Sequence, residues 1–304
     1  MREATSGAAA GFADGWAEVG DVRLHYVENG EGPLILMLHG FPQFWWLWRE
    51  QLADLGRDHH AVAVDMRGYN LSSAPQEVEA YRMRNLLADI RGLVEHLGAE
   101  RFVLVGHDWG GIVSWAFAIK YPELLERLVI CDGPPPFTWG RELERTPRQR
   151  EAVRYMEDFS KPAPLGEELL RANDFAAMET LSIGRGIERG YLSEADRALY
   201  REAWSKPGAL TGGLNYYRAA RMGEQVQSGQ PAEAQAAMRA MRVEVPTLVI
   251  WGAEDRFLLP GLTDGIEEWV PDVRVEMLPG AGHWTPQERA EDVTRLIREF
   301  VEER

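Results

Sequence analysis

The sequence contains a single cysteine, Cys131, so no disulfide can form within its 304 residues. It has no apolar run long enough to cross a membrane, and no cluster of histidine, cysteine or acidic residues with the spacing of metal ligands. The N-terminal stretch MREATSGAAAGFADG lacks the basic and then apolar regions of a secretory signal. We therefore expect a cytoplasmic protein that uses no metal and no cofactor.

Positive charge is also scarce, since 33 lysines and arginines stand against 48 aspartates and glutamates, for a net charge of −15. A surface of this sign repels phosphate backbones and anionic lipids, so we expect neither nucleic-acid nor membrane partners. Hydrophobic residues make up 45% of the chain, which suffices for a large packed core and argues against disorder. Composition thus indicates a globular protein. For its oligomeric state, both a monomer and a homodimer are consistent with the sequence.

Short, continuous apolar runs alternate with amphipathic helical patterns along most of the chain. This alternation is typical of buried parallel strands joined by crossover helices, and it predicts the α/β class. A hairpin through Gly20 and Asp21 precedes the runs. The predicted strands lie within 33–40, 60–70, 101–111, 125–136, 245–255 and 273–283, and the clearest helices within 83–98, 111–122 and 290–303.

The alternation fails between Gly133 and Val245, where helical patterns occur without a convincing strand. The simplest interpretation is a helical insert that returns to the same sheet. We therefore predict three parts: a first core segment at 1–133 with a flexible tail at 1–14, a helical cap at 134–244, and a second core segment at 245–304.

A carboxylate stands at the end of the third apolar run, in the stretch VGHDWGG. Gly106, Asp108 and Gly110 have the spacing of a nucleophile elbow, with aspartate in the place of the usual serine. The glycines permit a sharp turn from strand to helix that holds one side chain exposed, and the N-terminus of the following helix favours an anion there. On its own, Asp108 could equally be an ordinary helix N-cap.

Five motifs occur together in order: HGFPQFWWLWR, DMRGYNLSS, VGHDWGG, WGAEDRF and GAGHW. With them the chain resembles the α/β-hydrolase superfamily over nearly its full length, and within it the epoxide hydrolases most closely. The resemblance implies a mostly parallel sheet of eight strands with helices on both faces and an inserted helical cap. It also implies an enzyme that opens epoxides to vicinal diols.

The identity of the elbow residue narrows the chemistry. Asp108 is ionised at neutral pH and can displace a leaving group directly at a saturated carbon, which forms an ester of the enzyme. Release of that ester requires water, a general base and a site for the oxyanion. His283 in GAGHW is the candidate base. The resemblance places the oxyanion donors at the backbone N–H groups of Phe41 and Trp109.

Two acids compete to orient His283. Asp255 in WGAEDRF occupies the position usual for the epoxide hydrolases, whereas Asp132 ends the preceding strand, where some relatives carry their acid. We predict Asp255, because Asp132 is followed by three prolines and has the character of a turn residue.

The resemblance also implies two cap tyrosines that donate to the epoxide oxygen. GGLNYYRAA places one at Tyr217, and RYMEDFSKP places the other at Tyr155, although Glu157 and Asp158 stand where relatives are mostly apolar. The predicted substrate is thus a small, apolar epoxide.

Haloalkane and fluoroacetate dehalogenases, which share the fold and the aspartate nucleophile, are the main alternative. Many haloalkane enzymes carry an asparagine where this chain has Phe41, and fluoroacetate enzymes use arginines after the nucleophile and a cap histidine, which are missing here. A serine-type esterase is disfavoured by Asp108. A non-enzymatic ligand receptor on the same fold remains a further hypothesis, which an assay for diol would separate.

Overall fold

A computed structural model describes residues 6–7 and 11–303 of the chain. The predicted flexible tail at 1–14 lies mostly outside the described residues. Its last two residues, Ala13 and Asp14, contradict the prediction, because they begin the first strand and pair there with Glu28 and Val27. The hairpin thus starts earlier than the apolar alternation indicated.

The described residues form one sheet of eight strands in the order β1-β2-β4-β3-β5-β6-β7-β8. Strand β2 is antiparallel to both of its neighbours, and the other neighbouring pairs are parallel. This arrangement confirms the predicted fold class. The strands are β1 (Ala13–Val19), β2 (Val22–Asn29), β3 (Leu34–Leu38), β4 (His60–Val64), β5 (Phe102–His107), β6 (Leu125–Cys131), β7 (Thr247–Gly252) and β8 (Val273–Leu278).

Helices flank the sheet and fill the interval between β6 and β7. In the described chain they are α1 (Arg49–Leu55), α2 (Met83–His96), α3 (Trp109–Lys120), α4 (Pro136–Arg145), α5 (Pro147–Ala152), α6 (Tyr155–Phe159), α7 (Leu165–Ser182), α8 (Gly184–Arg189), α9 (Glu194–Ser205), α10 (Ala209–Ala219), α11 (Met222–Ser228), α12 (Ala232–Arg239), α13 (Thr285–Glu288) and α14 (Ala290–Glu302). Short 3-10 helices lie at Trp45–Trp48, Val78–Tyr81, Pro122–Leu124, Pro260–Thr263 and Ile266–Glu268.

The strands and helices of the core form where the spacing of apolar residues matches the faces that each element buries. Every residue of β3, β5 and β7 is buried, which explains why these segments are continuously apolar rather than alternating. The last helix, α14, instead buries one stripe at helical spacing, which consists of Val293, Thr294, Leu296, Ile297 and Phe300. The carboxyl ends of the parallel strands meet at one edge of the sheet, which is where ligands bind in such folds.

The segment between β6 and β7 contains helices α4 to α12 and, among its described residues, no strand. Helix α7 is broken at Ala172–Phe175, where three consecutive residues have positive φ. Arg218 on α10 ties to the first half of α7 through both oxygens of Glu167, at 2.9 and 2.8 Å. This bidentate pair fixes two helices of the segment against each other.

A buried histidine in β2 makes the stability of the fold depend on pH. His25 lies between two aspartates, with Nδ1 2.7 Å from Asp65 and Nε2 3.0 Å from Asp14. Burial alone would lower the pKa of His25, but the two carboxylates outweigh burial and raise it. The stabilisation is therefore fully present below the unfolded-state pKa of about 6.5, and it is lost as the pH rises through the higher folded-state pKa.

We expect His25→Gln to lower the free energy of unfolding by about 3–5 kcal/mol near pH 5.5, since it breaks a buried ion pair. The loss should be smaller near pH 9, because more of the wild-type His25 has then lost its proton. Urea unfolding of both proteins at the two pH values measures the difference. An equal loss at both would contradict this account.

Candidate active site

Asp108 occupies the turn between β5 and α3, in a backbone conformation (φ 52°, ψ −117°) that few residues other than glycine adopt. Two glycines make the turn possible. A Cβ atom at Gly106 would lie 2.5 Å from the carbonyl oxygen of Gly110, and one at Gly110 would lie 2.3 Å from that of Leu38. The predicted elbow spacing therefore reflects close backbone approach on both sides of the aspartate.

The carboxylate of Asp108 is buried and accepts the backbone N–H of Phe41 at 2.8 Å. The backbone N–H of Trp109 also bonds to it. Burial would raise the pKa of Asp108, but His283 and the Trp109 amide outweigh burial and hold the pKa below its ordinary value. Asp108 is consequently ionised, and the two amides predicted as oxyanion donors both face it.

His283 lies between two carboxylates. Its Nδ1 is 2.7 Å from Oδ2 of Asp255, and its Nε2 is 3.6 Å from Oδ2 of Asp108. Burial would lower the pKa of His283, but the charges of Asp255 and Asp108 raise it well above the ordinary value. The ring is thus held in one orientation, with Nε2 directed at Asp108.

Of the two competing acids, the structure brings Asp255 to His283. The other oxygen of Asp255 accepts the backbone N–H groups of Phe257 and Leu258 at 2.8 and 3.0 Å, which fixes the carboxylate in the loop after β7. Asp132 is fully buried and bonds elsewhere, to the backbone of Gly252 and to a threonine hydroxyl. It is therefore more than the turn residue that the sequence suggested.

Two residues that sequence reasoning missed hold the loop that carries His283. Nε2 of His107 donates to the carbonyl oxygen of His283 at 2.8 Å, and burial, followed by the charge of His283, lowers the pKa of His107 to about 3. Glu288 accepts the N–H groups of Gly282 and Trp284 at 3.1 and 3.3 Å. His107 lies inside the VGHDWGG motif, which offered a signal, whereas no local pattern pointed to Glu288.

A small pocket connects these groups to the helical segment. It holds about 20 Å³, room for about one water molecule. Its walls are Phe41, Pro42, Asp108, Tyr155, Phe159, Leu181, Tyr217, Phe257, His283 and Trp284. The helical segment thus supplies both predicted tyrosines, and the remaining walls are apolar apart from Asp108 and His283.

Both tyrosines pack against aromatic rings, Tyr217 buried and Tyr155 half-buried. The ring of Tyr155 lies 5.0 Å from that of Phe159, and the ring of Tyr217 lies 5.2 Å from the same phenylalanine. The ring of Tyr217 also lies against that of Trp109, with the centroids 5.1 Å apart. Burial, followed by the nearby charge of Asp108, raises the pKa of Tyr155 well above its ordinary value, and burial does so for Tyr217. Both hydroxyls are therefore protonated at neutral pH.

Other tyrosines of the helical segment have structural partners. The hydroxyl of Tyr216 donates to the carbonyl oxygen of Arg67 at 3.0 Å, and that of Tyr200 bonds to Gln43 and Gln287. Within the described residues, no group of histidine, cysteine and acidic side chains could hold a metal ion. No helix in the same part of the chain is long and apolar enough to span a membrane.

The sheet order, the elbow and the Asp-His-Asp arrangement define the class of protein. Residues 33–290 match the family model described as alpha/beta hydrolase fold, which covers most of the chain.

Similar proteins narrow this class to one family. Epoxide hydrolase 3 from Mus musculus is 38% identical over 93% of this chain and 74% of its own. Epoxide hydrolase 2 from Caenorhabditis elegans is 34% identical over 95% of this chain and 79% of its own. A variant of the Bacillus megaterium epoxide hydrolase, solved with its product (R)-3-[1]naphthyloxy-propane-1,2-diol, is 35% identical with a TM-score of 0.87, over 95% of this chain and 100% of that one. The chain therefore belongs to the epoxide hydrolase family.

Proposed function

We propose that this protein hydrolyses small, apolar epoxides to vicinal diols through a covalent ester on Asp108. One observation carries the proposal: an ionised carboxylate, a histidine and two tyrosine hydroxyls line the same apolar pocket. A nucleophile for carbon, a base for water and donors for a leaving oxygen are the groups that this reaction needs.

In the first step, an oxygen of Asp108 attacks one epoxide carbon, and the bond from that carbon to the ring oxygen breaks. The leaving oxygen is an alkoxide, which is a poor leaving group unless a donor supplies a proton. Tyr155 and Tyr217 face the pocket with protonated hydroxyls, and one of them transfers its proton to the alkoxide. The product of this step is a hydroxyalkyl ester of Asp108 and a tyrosinate.

In the second step, water attacks the carbonyl carbon of the ester while Nε2 of His283 takes its proton. The oxyanion forms beside the N–H groups of Phe41 and Trp109, which bond to the same carboxylate in the free protein. Collapse breaks the bond to the alkyl oxygen, which takes the proton from His283 and leaves as the diol. The acid left on Asp108 then ionises, and its proton restores the tyrosine.

The two carboxylates around His283 support this order of steps. In the free protein both stabilise its cation, so the pKa of His283 is high. Ester formation removes the negative charge of Asp108, which leaves Asp255 as the partner of the ring. The pKa of His283 then falls, so the ring releases its proton to solvent and becomes an acceptor for the proton of water in the step that needs a base. It regains a proton from solvent when the carboxylate of Asp108 is restored.

Dehalogenation is supported less well. Among the residues that line the pocket there is no lysine, arginine or asparagine to hold a halide or a substrate carboxylate. The ring of Trp109, whose side chain many haloalkane enzymes use for halide, packs edge-on against Tyr217, with the centroids 5.1 Å apart.

We further propose that residues 134–244 act as a cap over a core made of 1–133 and 245–304. The cap would supply Tyr155, Phe159, Leu181 and Tyr217 to the pocket, and the core would supply the nucleophile and the base. A pocket of about 20 Å³ is smaller than any epoxide with an organic substituent, so cap side chains must move to admit substrate. The cytoplasmic location and the choice between monomer and homodimer stay predictions.

Substitution of the tyrosines tests the proposal. We expect Tyr217→Phe and Tyr155→Phe each to slow ester formation by about 10- to 100-fold, which corresponds to the roughly 1.5–3 kcal/mol of a hydrogen bond to a charged group. Diol formation from an aryl glycidyl ether measures the loss, and Tyr216→Phe, outside the pocket, is the matched control. Wild-type rates in both variants, or release of halide from haloalkanes without diol from epoxides, would overturn the assignment.

A further inference from the structure

Asp132, the residue that competed with Asp255 in the sequence, has no part in the reaction derived above. It follows β6, is fully buried, and adopts a positive φ of 44°. Glycine or asparagine satisfies such a backbone without a buried charge. The backbone conformation therefore does not explain why a carboxyl group is present at this position.

The carboxyl joins two segments that the site depends on. Oδ1 accepts the backbone N–H of Gly252 at 2.8 Å, and Oδ2 is hydrogen-bonded to the hydroxyl of Thr285. Gly252 ends β7 three residues before Asp255, and Thr285 follows His283 by two residues. One side chain thus ties the strand that carries the acid to the loop that carries the base.

The two segments are in direct contact at this point. A Cβ atom at Gly252 would lie 1.9 Å from the carbonyl oxygen of Gly282, so the strand end and the base loop touch through their backbones. A shift of the loop relative to the strand would change the 2.7 Å distance between His283 and Asp255 directly.

Asp132 is not the partner of the His283 ring, because the two ring nitrogens face Asp255 and Asp108. Burial, followed by the charge of Asp255, raises the pKa of Asp132 well above its ordinary value. Both carboxyl oxygens accept, one from the N–H of Gly252 and the other from the hydroxyl of Thr285. An asparagine has the same shape, and it keeps both links, because its oxygen can accept from Gly252 and its amide N–H can donate to the hydroxyl oxygen of Thr285.

We propose that Asp132 is a positioning residue, whose carboxyl holds His283 against Asp255 by tying the end of β7 to the loop that follows His283. This inference rests on the proposed function, because it assigns the positioning to the base of the hydrolytic step. It acts through hydrogen bonds to Gly252 and Thr285, and not through the charge of Asp132.

The experiment compares Asp132→Ala, which removes the tie, with Asp132→Asn, which keeps it. Stopped-flow single turnovers with an aryl glycidyl ether give the rates of ester formation and ester hydrolysis separately. In Asp132→Ala we expect hydrolysis to slow by about 10- to 100-fold, since a misplacement of about 1 Å has this effect, with ester formation within about threefold of wild type. We expect both rates in Asp132→Asn to stay within about threefold.

The pH dependence separates positioning from a merely structural role. When His283 moves away from Asp255, the charge that raises its pKa is lost, so the acidic limb of the hydrolysis rate should shift to lower pH in Asp132→Ala and stay in Asp132→Asn. The proposal would be overturned if Asp132→Ala slowed ester formation and ester hydrolysis equally and left the acidic limb unshifted. It would also be overturned if Asp132→Asn hydrolysed the ester as slowly as Asp132→Ala. If Asp132→Ala does not fold, Thr285→Val provides the same test, because it removes the hydroxyl that bonds to Asp132.

A substrate-free measurement keeps this proposal distinct from the proposed function. NMR titration of the His283 ring should show a lower pKa in Asp132→Ala than in wild type and an unchanged pKa in Asp132→Asn. If the wild-type protein formed no diol, the proposed function would fail, and the titration would still support or overturn the tie.

Discussion

His283→Gln should stop turnover and accumulate a protein that is heavier by one substrate molecule. Asp108 attacks the epoxide before water takes part, so loss of the base leaves the first bond-forming step intact. Glutamine cannot take a proton from water, and the ester then has no route to diol. We expect turnover to fall on the order of 10⁴-fold, as for loss of a triad member in other hydrolases.

Intact-protein mass spectrometry after incubation with an aryl glycidyl ether measures this adduct. Peptide mapping should place the added mass on the peptide that contains Asp108. Glu288→Gln, which alters the support of the loop without removing the base, serves as the comparison and should accumulate far less ester. Unmodified His283→Gln protein after prolonged incubation would exclude an ester intermediate.

Asp108→Asn should show neither adduct nor measurable diol, with turnover reduced by about 10⁴-fold or more. An amide is a poor nucleophile, so the first step should be lost. The amide has the shape of the carboxylate, and its oxygen can still accept the N–H of Phe41. Asparagine also tolerates the positive φ at this turn, so the melting temperature should remain close to that of wild type.

The competing mechanism has His283 activate water to open the epoxide directly, with Asp108 only holding the substrate. A single turnover of wild-type protein in heavy-oxygen water separates the two mechanisms. The ester route puts label into the carboxylate of Asp108, whereas direct attack puts it into the diol. An unlabelled Asp108 peptide would contradict the nucleophilic role.

The strands and the strand-to-helix turn at Asp108 were predictable because their signals are local. Strands buried on both faces require continuous apolar runs, and the elbow requires Gly106 and Gly110 at fixed distances from Asp108. The tail was predicted to extend through residue 14, whereas β1 begins at Ala13, before its alternation becomes clear.

The support of His283 was not predictable in the same way. Its partners His107 and Glu288, and the tie from Asp132 to Thr285, depend on contacts that only the packed sheet creates. The hydrogen bond between Asp132 and Thr285 spans 153 positions in the chain, and the one between His107 and His283 spans 176. No local periodicity encodes such pairs, so only the structure shows them.

The buried position of Cys131 makes this protein convenient to label. The thiol is inaccessible at the end of β6, and burial raises its pKa well above the ordinary value, so thiol reagents should leave the native protein unmodified. A cysteine introduced at Leu165, which is 54% exposed on α7, would then be a unique reactive thiol. A dye attached there would test whether the proposed cap moves during turnover, with Cys131 left in place.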